Sequence, residues 1–176
     1  MFTIKSDYLI EASTKIGKNY VYLSFCAIDL PLSIYPFYEE IRRDTYVWNC
    51  ELFVGKHYRH YRKWLKGKSN EHLQCNGTEG LRPLRFAKDR ILSFAHRYLY
   101  PHDIIYIVAE DKRRFSAYRY LLRYPFIRPF RNHKEEGYLV FSPDSAEEFR
   151  SLLECLFCFP NQYKELLPEL RQHYSR

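Results

Sequence analysis

Signals for export, membrane insertion and modular repetition are missing from this chain. None of its apolar runs reaches the length of a membrane span. Its opening residues, Met1-Phe2-Thr3-Ile4-Lys5, lack the charged region and apolar core of a secretion signal. The expectation is a cytoplasmic protein with no membrane partner. Repeats, low-complexity tracts and Gly/Ser linkers are also lacking, so 176 residues read as one domain over 1–176, long enough to bury a real core. Five cysteines, Cys26, Cys50, Cys75, Cys155 and Cys158, are an odd number without a secretion signal, which reads as reduced thiols packed in apolar surroundings.

Metal chemistry and the commonest hydrolytic chemistries lack their motifs. Cys155-x-x-Cys158 lies within a helical pattern and has no second pair at zinc-ligand spacing. His57 and His60 stand three apart inside a cationic run, which disfavours a metal ion, and no other histidine completes a set. Gly-x-Ser-x-Gly, the P-loop and His-Glu-x-x-His do not occur.

Aromatic residues and positive charge are what the chain has in excess. With 17 Tyr, 13 Phe and 2 Trp, part of the aromatic set must form core, and the rest suits surfaces that recognise flat or amphipathic partners. A net charge of +7 favours acidic partners such as nucleic acid, a phosphorylated cofactor or an anionic surface.

Periodicity outlines an α/β chain. Tyr20 to Ile28 reads as a strand, and Pro31 and Pro36 punctuate a loop or short helix from Leu32 to Arg43. Thr45 to Val54 reads as a strand closed by Gly55, with Tyr46, Trp48, Cys50 and Leu52 on its expected core face. Lys56 to Lys68 carries cations without an acid, and Tyr58, Tyr61 and Leu65 recur at helical spacing, which predicts a short amphipathic helix. A helix follows over Leu81–Leu99, with Pro83 in its first turn and a stripe of Leu84, Ala87, Ile91, Phe94, Ala95 and Tyr98. Ile104 to Ala109 is an unbroken apolar run, as in a strand buried on both faces. A helical segment covers Arg113 to Arg123, and Tyr138 to Phe141 is a strand. Ser142-Pro143-Asp144-Ser145 then precedes a segment from Ala146 to Phe157, with Ser142 as candidate N-cap and Pro143 at the first helical position. The tail after Pro160 reads as a short amphipathic helix or a frayed end.

Gln74 to Phe126 forms one supersecondary unit: the loop Gln74-Cys75-Asn76-Gly77-Thr78-Glu79-Gly80, a helix, a strand and a second helix. A glycine turn opening a helix offers unpaired N–H groups to an anion such as a pyrophosphate. This order resembles the Gcn5-related N-acetyltransferase (GNAT) superfamily, in which a strand leads into a loop of the form Gln/Arg-x-x-Gly-x-Gly/Ala and then a long helix. Gln74-x-x-Gly77 matches the first half; Glu79 stands at the last position and the glycine comes one later, at Gly80. Ala117 and Phe126 suit the family's second helix and its end, where Leu121 and Pro125 replace a tyrosine and a glycine. The resemblance covers roughly residues 45–141. It implies a mixed sheet with helices on both faces, and Gln74, Asn76, Gly77, Thr78, Gly80 and Leu81 around the pyrophosphate of acetyl-CoA.

The implied chemistry moves an acyl group from a coenzyme A thioester to an amine. A base accepts the amine proton and an acid protonates the leaving thiolate. Glu51 and Glu110 are the candidate bases, and Tyr118 and Tyr120 the candidate acids. The rival expectation is binding without catalysis. Lys56, Arg59, Arg62, Lys63, Trp64 and Lys66, with Arg113, Arg114, Arg119 and Arg123, combine phosphate-neutralising cations with rings that stack bases. The same surface would suit a host protein bound by a phage or mobile-element accessory factor.

Overall fold

The computed structural model describes residues 1–27, 34–67, 79–109 and 112–175. The architecture is α/β, with a seven-stranded mixed sheet in the order β1-β2-β3-β4-β5-β7-β6. Its strands are β1 (Phe2–Ser6), β2 (Leu9–Ile16), β3 (Asn19–Cys26), β4 (Val47–Gly55), β5 (Ile104–Val108), β6 (Ile127–Arg131) and β7 (Glu136–Phe141). The helices are α1 (Tyr38–Asp44), α2 (Tyr58–Leu65), α3 (Arg82–Tyr98), α4 (Lys112–Leu121), α5 (Glu147–Cys158) and α6 (Tyr163–Tyr174). Two compact units divide the chain: Met1–Cys26 with Cys50–Leu92, and Ala27–Asn49 with Ser93–Arg176.

In the first unit β1, β2 and β3 form an antiparallel meander. The β2–β3 loop is two residues long, and Gly17 opens it at φ +59°, a conformation that glycine adopts without steric cost. Two apolar clusters stand out among its described residues. Ile16, Val21 and Val54 gather Leu52 and Phe86, while Tyr22, Phe53 and Tyr61 gather Trp64 and Leu65. Through the second cluster α2 is anchored, with Tyr61 stacked on Tyr22 at a centroid separation of 4.4 Å. The amphipathic helix expected of Lys56–Lys68 is therefore present, and its buried stripe is Tyr61, Trp64 and Leu65. Tyr58 is 43% exposed.

In the second unit β5 pairs with the start of β4 in parallel, Val47 opposite Ile104 and Asn49 opposite Tyr106, and with β7 antiparallel. A parallel pair needs a crossover, and the chain from β4 to β5 supplies one that includes α3. Successive strand residues face opposite ways, so contacts assign each helix to a face. Phe94 of α3 meets Trp48, and Phe115 and Tyr118 of α4 meet Tyr138. Phe157 and Phe149 of α5 meet Tyr106 and Phe141 on the other side. β5 is buried almost throughout, as its apolar run requires.

Two sequence expectations need correction, and three strands were not read. The core face assigned to β4 held only in part: Val47, Trp48, Asn49, Cys50, Phe53 and Val54 are all buried while Tyr46 is 43% exposed. β4 is an interior strand, so alternation does not separate inside from outside. The helix expected to start at Pro143 starts at Glu147, with Ala146 as its N-cap. Ser142 instead closes a turn, its hydroxyl accepting from Asp144 N at 3.2 Å and its carbonyl from Ser145 N at 3.0 Å. Buried Arg150 reaches back to Ser145 Oγ at 2.8 Å and to the carbonyls of Pro143 and Ser145 at 3.0 and 2.9 Å. The hairpin strands β1 and β2 and the edge strand β6 went unread; β6 tolerates Pro129 because an edge strand has a side that needs no donor. Of its two expected forms the tail takes the helical one, α6, despite Pro168.

Candidate functional site

Of the loop expected to cradle a pyrophosphate, Gln74, Asn76, Gly77 and Thr78 lie outside the described residues, as does Glu110. The loop's end is described. Gly80 has φ +60° with open space where a side chain would point, and Leu81 is 47% exposed ahead of α3. Arg82 N bonds Glu79 O at 3.3 Å and Arg85 N bonds Leu81 O at 3.0 Å, so the helix begins directly after this glycine. Pro83, which has no N–H, occupies the first turn where none is needed.

Glu79 is committed elsewhere. Its carboxylate accepts from Asn19 Nδ2 at 3.4 Å, lies 3.7 Å from the Arg82 guanidinium, and abuts Gly17, where a Cβ would come within 2.5 Å of Oε1. The charge that stands at the family's Gly/Ala position is thus bonded to the β2–β3 turn and balanced by a neighbouring cation.

The candidate acid–base residues fall in different units. Glu51 is half-buried on β4, beside Cys50, whose thiol is held well above its usual range by burial and then by the Glu51 charge. Tyr118 is half-buried on α4 with its ring edge-on to Tyr138, at 6.3 Å. Tyr120, two residues on, is 70% exposed and sits under the Arg123 guanidinium at 5.4 Å. Of the two tyrosines only Tyr118 has the partly desolvated setting that a proton donor uses.

The second unit holds a polar cluster that no sequence pattern announced. The phenols of Tyr35 and Tyr106 both donate to Glu135 Oε1, the first at 2.6 Å. Asn132 Nδ2 donates to Tyr35 Oη at 3.0 Å and to Phe157 O at 2.7 Å, and Lys134 Nζ lies 5.7 Å above the Tyr35 ring. Burial raises the Glu135 carboxyl above its usual range, partly offset by the Tyr35 hydrogen bond. The Tyr35 phenol is pushed far up, first by burial, so it stays a donor. Beside this cluster an open depression of about 640 Å³ is lined by Val108, Lys112, Arg131, His133 and Glu136. Residues 35, 106, 132 and 135 are too scattered, and too ordinary singly, to be read as a set; only the fold assembles them.

The basic residues divide sharply. Lys56, Arg59, Arg62, Lys63 and Lys66 are exposed on and around α2, and Trp64 packs its ring on Phe53 at 5.4 Å, so it supports the helix and offers no open stacking face. Arg113 and Arg119 on α4 and Arg123 just past its end are exposed, and Arg114 is half-buried. Beyond it, Arg128 is held by Glu147 and by Glu154 at 3.3 Å, and Arg131 by Glu136 at 2.8 Å.

Among the described residues no group of three or more His, Cys, Asp and Glu is placed to hold a metal ion, and none of the helices is long and apolar enough to cross a membrane. Cys26, Cys50, Cys155 and Cys158 are free thiols. These features define an α/β protein with a mixed sheet. No family model, curated protein or solved structure matches the chain.

Proposed function

We propose that this chain is a GNAT-like N-acyltransferase that takes its acyl group from an acyl-coenzyme A such as acetyl-CoA and passes it to an amine. One observation carries the reading: β4 and β5 are a parallel pair whose crossover holds a glycine-bearing loop and the 17-residue α3, followed by α4 and the β6–β7 hairpin. From the loop onward that is the order on which the sequence resemblance rests, with α2 standing between β4 and the loop. Gly80 at positive φ leaves open space at the start of α3, where an anion has room to approach the backbone.

In this reading the amine nitrogen attacks the thioester carbonyl and Glu51 accepts its proton, with Glu110 as second candidate base. The carbon–sulfur bond breaks and the departing thiolate takes up a proton to leave as coenzyme A; of the two candidate acids Tyr118 is preferred to Tyr120 on exposure. Acetyl-CoA at 1 mM is expected to raise the melting temperature by about 5 °C if its Kd is on the order of 10 µM, since native-state binding at 100 Kd adds about 2.7 kcal/mol. Glu51→Gln should keep the shift and lose acyl transfer at saturating amine. No shift at millimolar acetyl-CoA overturns the proposal.

A further inference from the structure

The charge of this protein is concentrated in one unit. Residues 1–26 and 50–92 hold thirteen Lys and Arg against six Asp and Glu, while the second unit balances fifteen against fifteen, so the whole +7 belongs to the first. Two of those acids are turned inward. Glu11 is 7% exposed and accepts from Tyr61 Oη at 2.9 Å, and Glu79 is bonded to Asn19 and Arg82. What reaches the surface is more positive than the count.

α2 gathers the excess. Arg59, Arg62, Lys63 and Lys66 recur at i, i+3, i+4 and i+7, a single stripe of an α-helix, and each is exposed with no ion pair to a described residue. Lys56 precedes the helix, and no acid stands between Glu51 and Glu71 in the sequence. On the opposite side Tyr61, Trp64 and Leu65 are locked into the Tyr22–Phe53 cluster, so the cations are presented from a fixed base.

We propose that this face of α2 binds the phosphodiester backbone of a nucleic acid without reading its sequence. Four cations over about 10 Å of helix match a polymer that carries a phosphate charge every ~1.7 Å of duplex axis. The stripe consists of long cationic side chains, which neutralise phosphates whatever the base sequence. An anionic lipid surface fits less well, because an interfacial helix sinks its apolar face into lipid and the apolar face of α2 is already core. A protein partner would call for an apolar centre, which the stripe lacks. In the second unit Arg113 and Arg119 lie on α4, Arg123 lies past its end and Arg114 is half-buried, so the later arginine cluster does not form an equivalent helical stripe.

The site rests on charge placement alone and is independent of acyl transfer, so its test omits acyl-CoA. Fluorescence anisotropy with a labelled 20-nucleotide mixed-sequence single strand and its duplex, from 50 to 300 mM KCl, should give a log–log salt slope of about −2 to −4. The variant R59Q/R62Q/K63Q/K66Q should bind at least tenfold more weakly at 50 mM with a slope near zero and an unchanged melting temperature. R59Q/K63Q should fall between, and R113Q/R119Q/R123Q, on and just past α4, should stay within twofold of the parent. Absence of oligonucleotide binding, a flat salt slope, wild-type affinity in the quadruple variant, or a loss confined to the α4 variant would each overturn the proposal. So would binding to vesicles of phosphatidylcholine and phosphatidylserine in place of both oligonucleotides.

Discussion

Gly137 shows how much a single position can decide. It sits in β7 between β5 and β6, where a Cβ would stand 2.0 Å from the Ile107 carbonyl oxygen and 3.0 Å from a Phe130 ring carbon. Gly137→Ala should destabilise the fold by at least about 2–3 kcal/mol, measured by urea denaturation, since neither backbone can retreat without losing its ladder. Glu135 is the residue with a pH signature. Its folded-state pKa is raised above 4.5 chiefly by burial, so between that value and the raised one the folded state binds more protons than the unfolded state. Stability from this group is therefore greatest at low pH and falls as pH rises through the window. Glu135→Gln keeps an oxygen for both phenols and removes the titration, so the variant's stability relative to wild type should rise with pH above about 4.5. A constant difference across pH 4 to 8 would contradict this. Neither residue was legible beforehand: a glycine before Tyr138 and one of two adjacent glutamates carry no pattern.

At the scale of elements, hydrophobic period served the helices well. The stripe of α3 was read residue by residue, and Ala87, Ile91, Phe94 and Ala95 are buried as expected. α2 was read as amphipathic, but its anchoring was not readable, because Tyr61 depends on Tyr22 and Glu11 from distant strands. Tyr61→Phe deletes the hydroxyl that satisfies Glu11 and leaves that buried carboxylate with Lys5 at 3.8 Å. The expected cost is about 1–3 kcal/mol in equilibrium unfolding, with little change in the exposed cations. The start of α5 was misread because Ser-Pro is a good helix opening locally, whereas Arg150 makes a turn of the same residues. Arg150→Ala should cost about 2–4 kcal/mol by leaving the carbonyls of Pro143 and Ser145 without their donor. A loss below 0.5 kcal/mol would show that the turn holds itself.

For the whole molecule, the two compact units are each discontinuous in sequence, and β4 and α3 each contribute residues to both. The two tryptophans report on them separately, Trp64 in the first unit and Trp48 in the second. Since an interior strand and a long helix run through both, Trp48→Phe and Trp64→Phe variants should show coincident urea midpoints by fluorescence and circular dichroism. Separated midpoints would mean that the units unfold independently. Composition by itself determined that the chain folds, that it carries +7 and that its secondary structure alternates, because these depend on residue content and local period. Tertiary structure decided which strands are interior, which carboxylates are buried with tyrosines, and that the excess charge collects on one unit. Those outcomes depend on which residues meet across long stretches of sequence, and local propensity holds no record of such meetings.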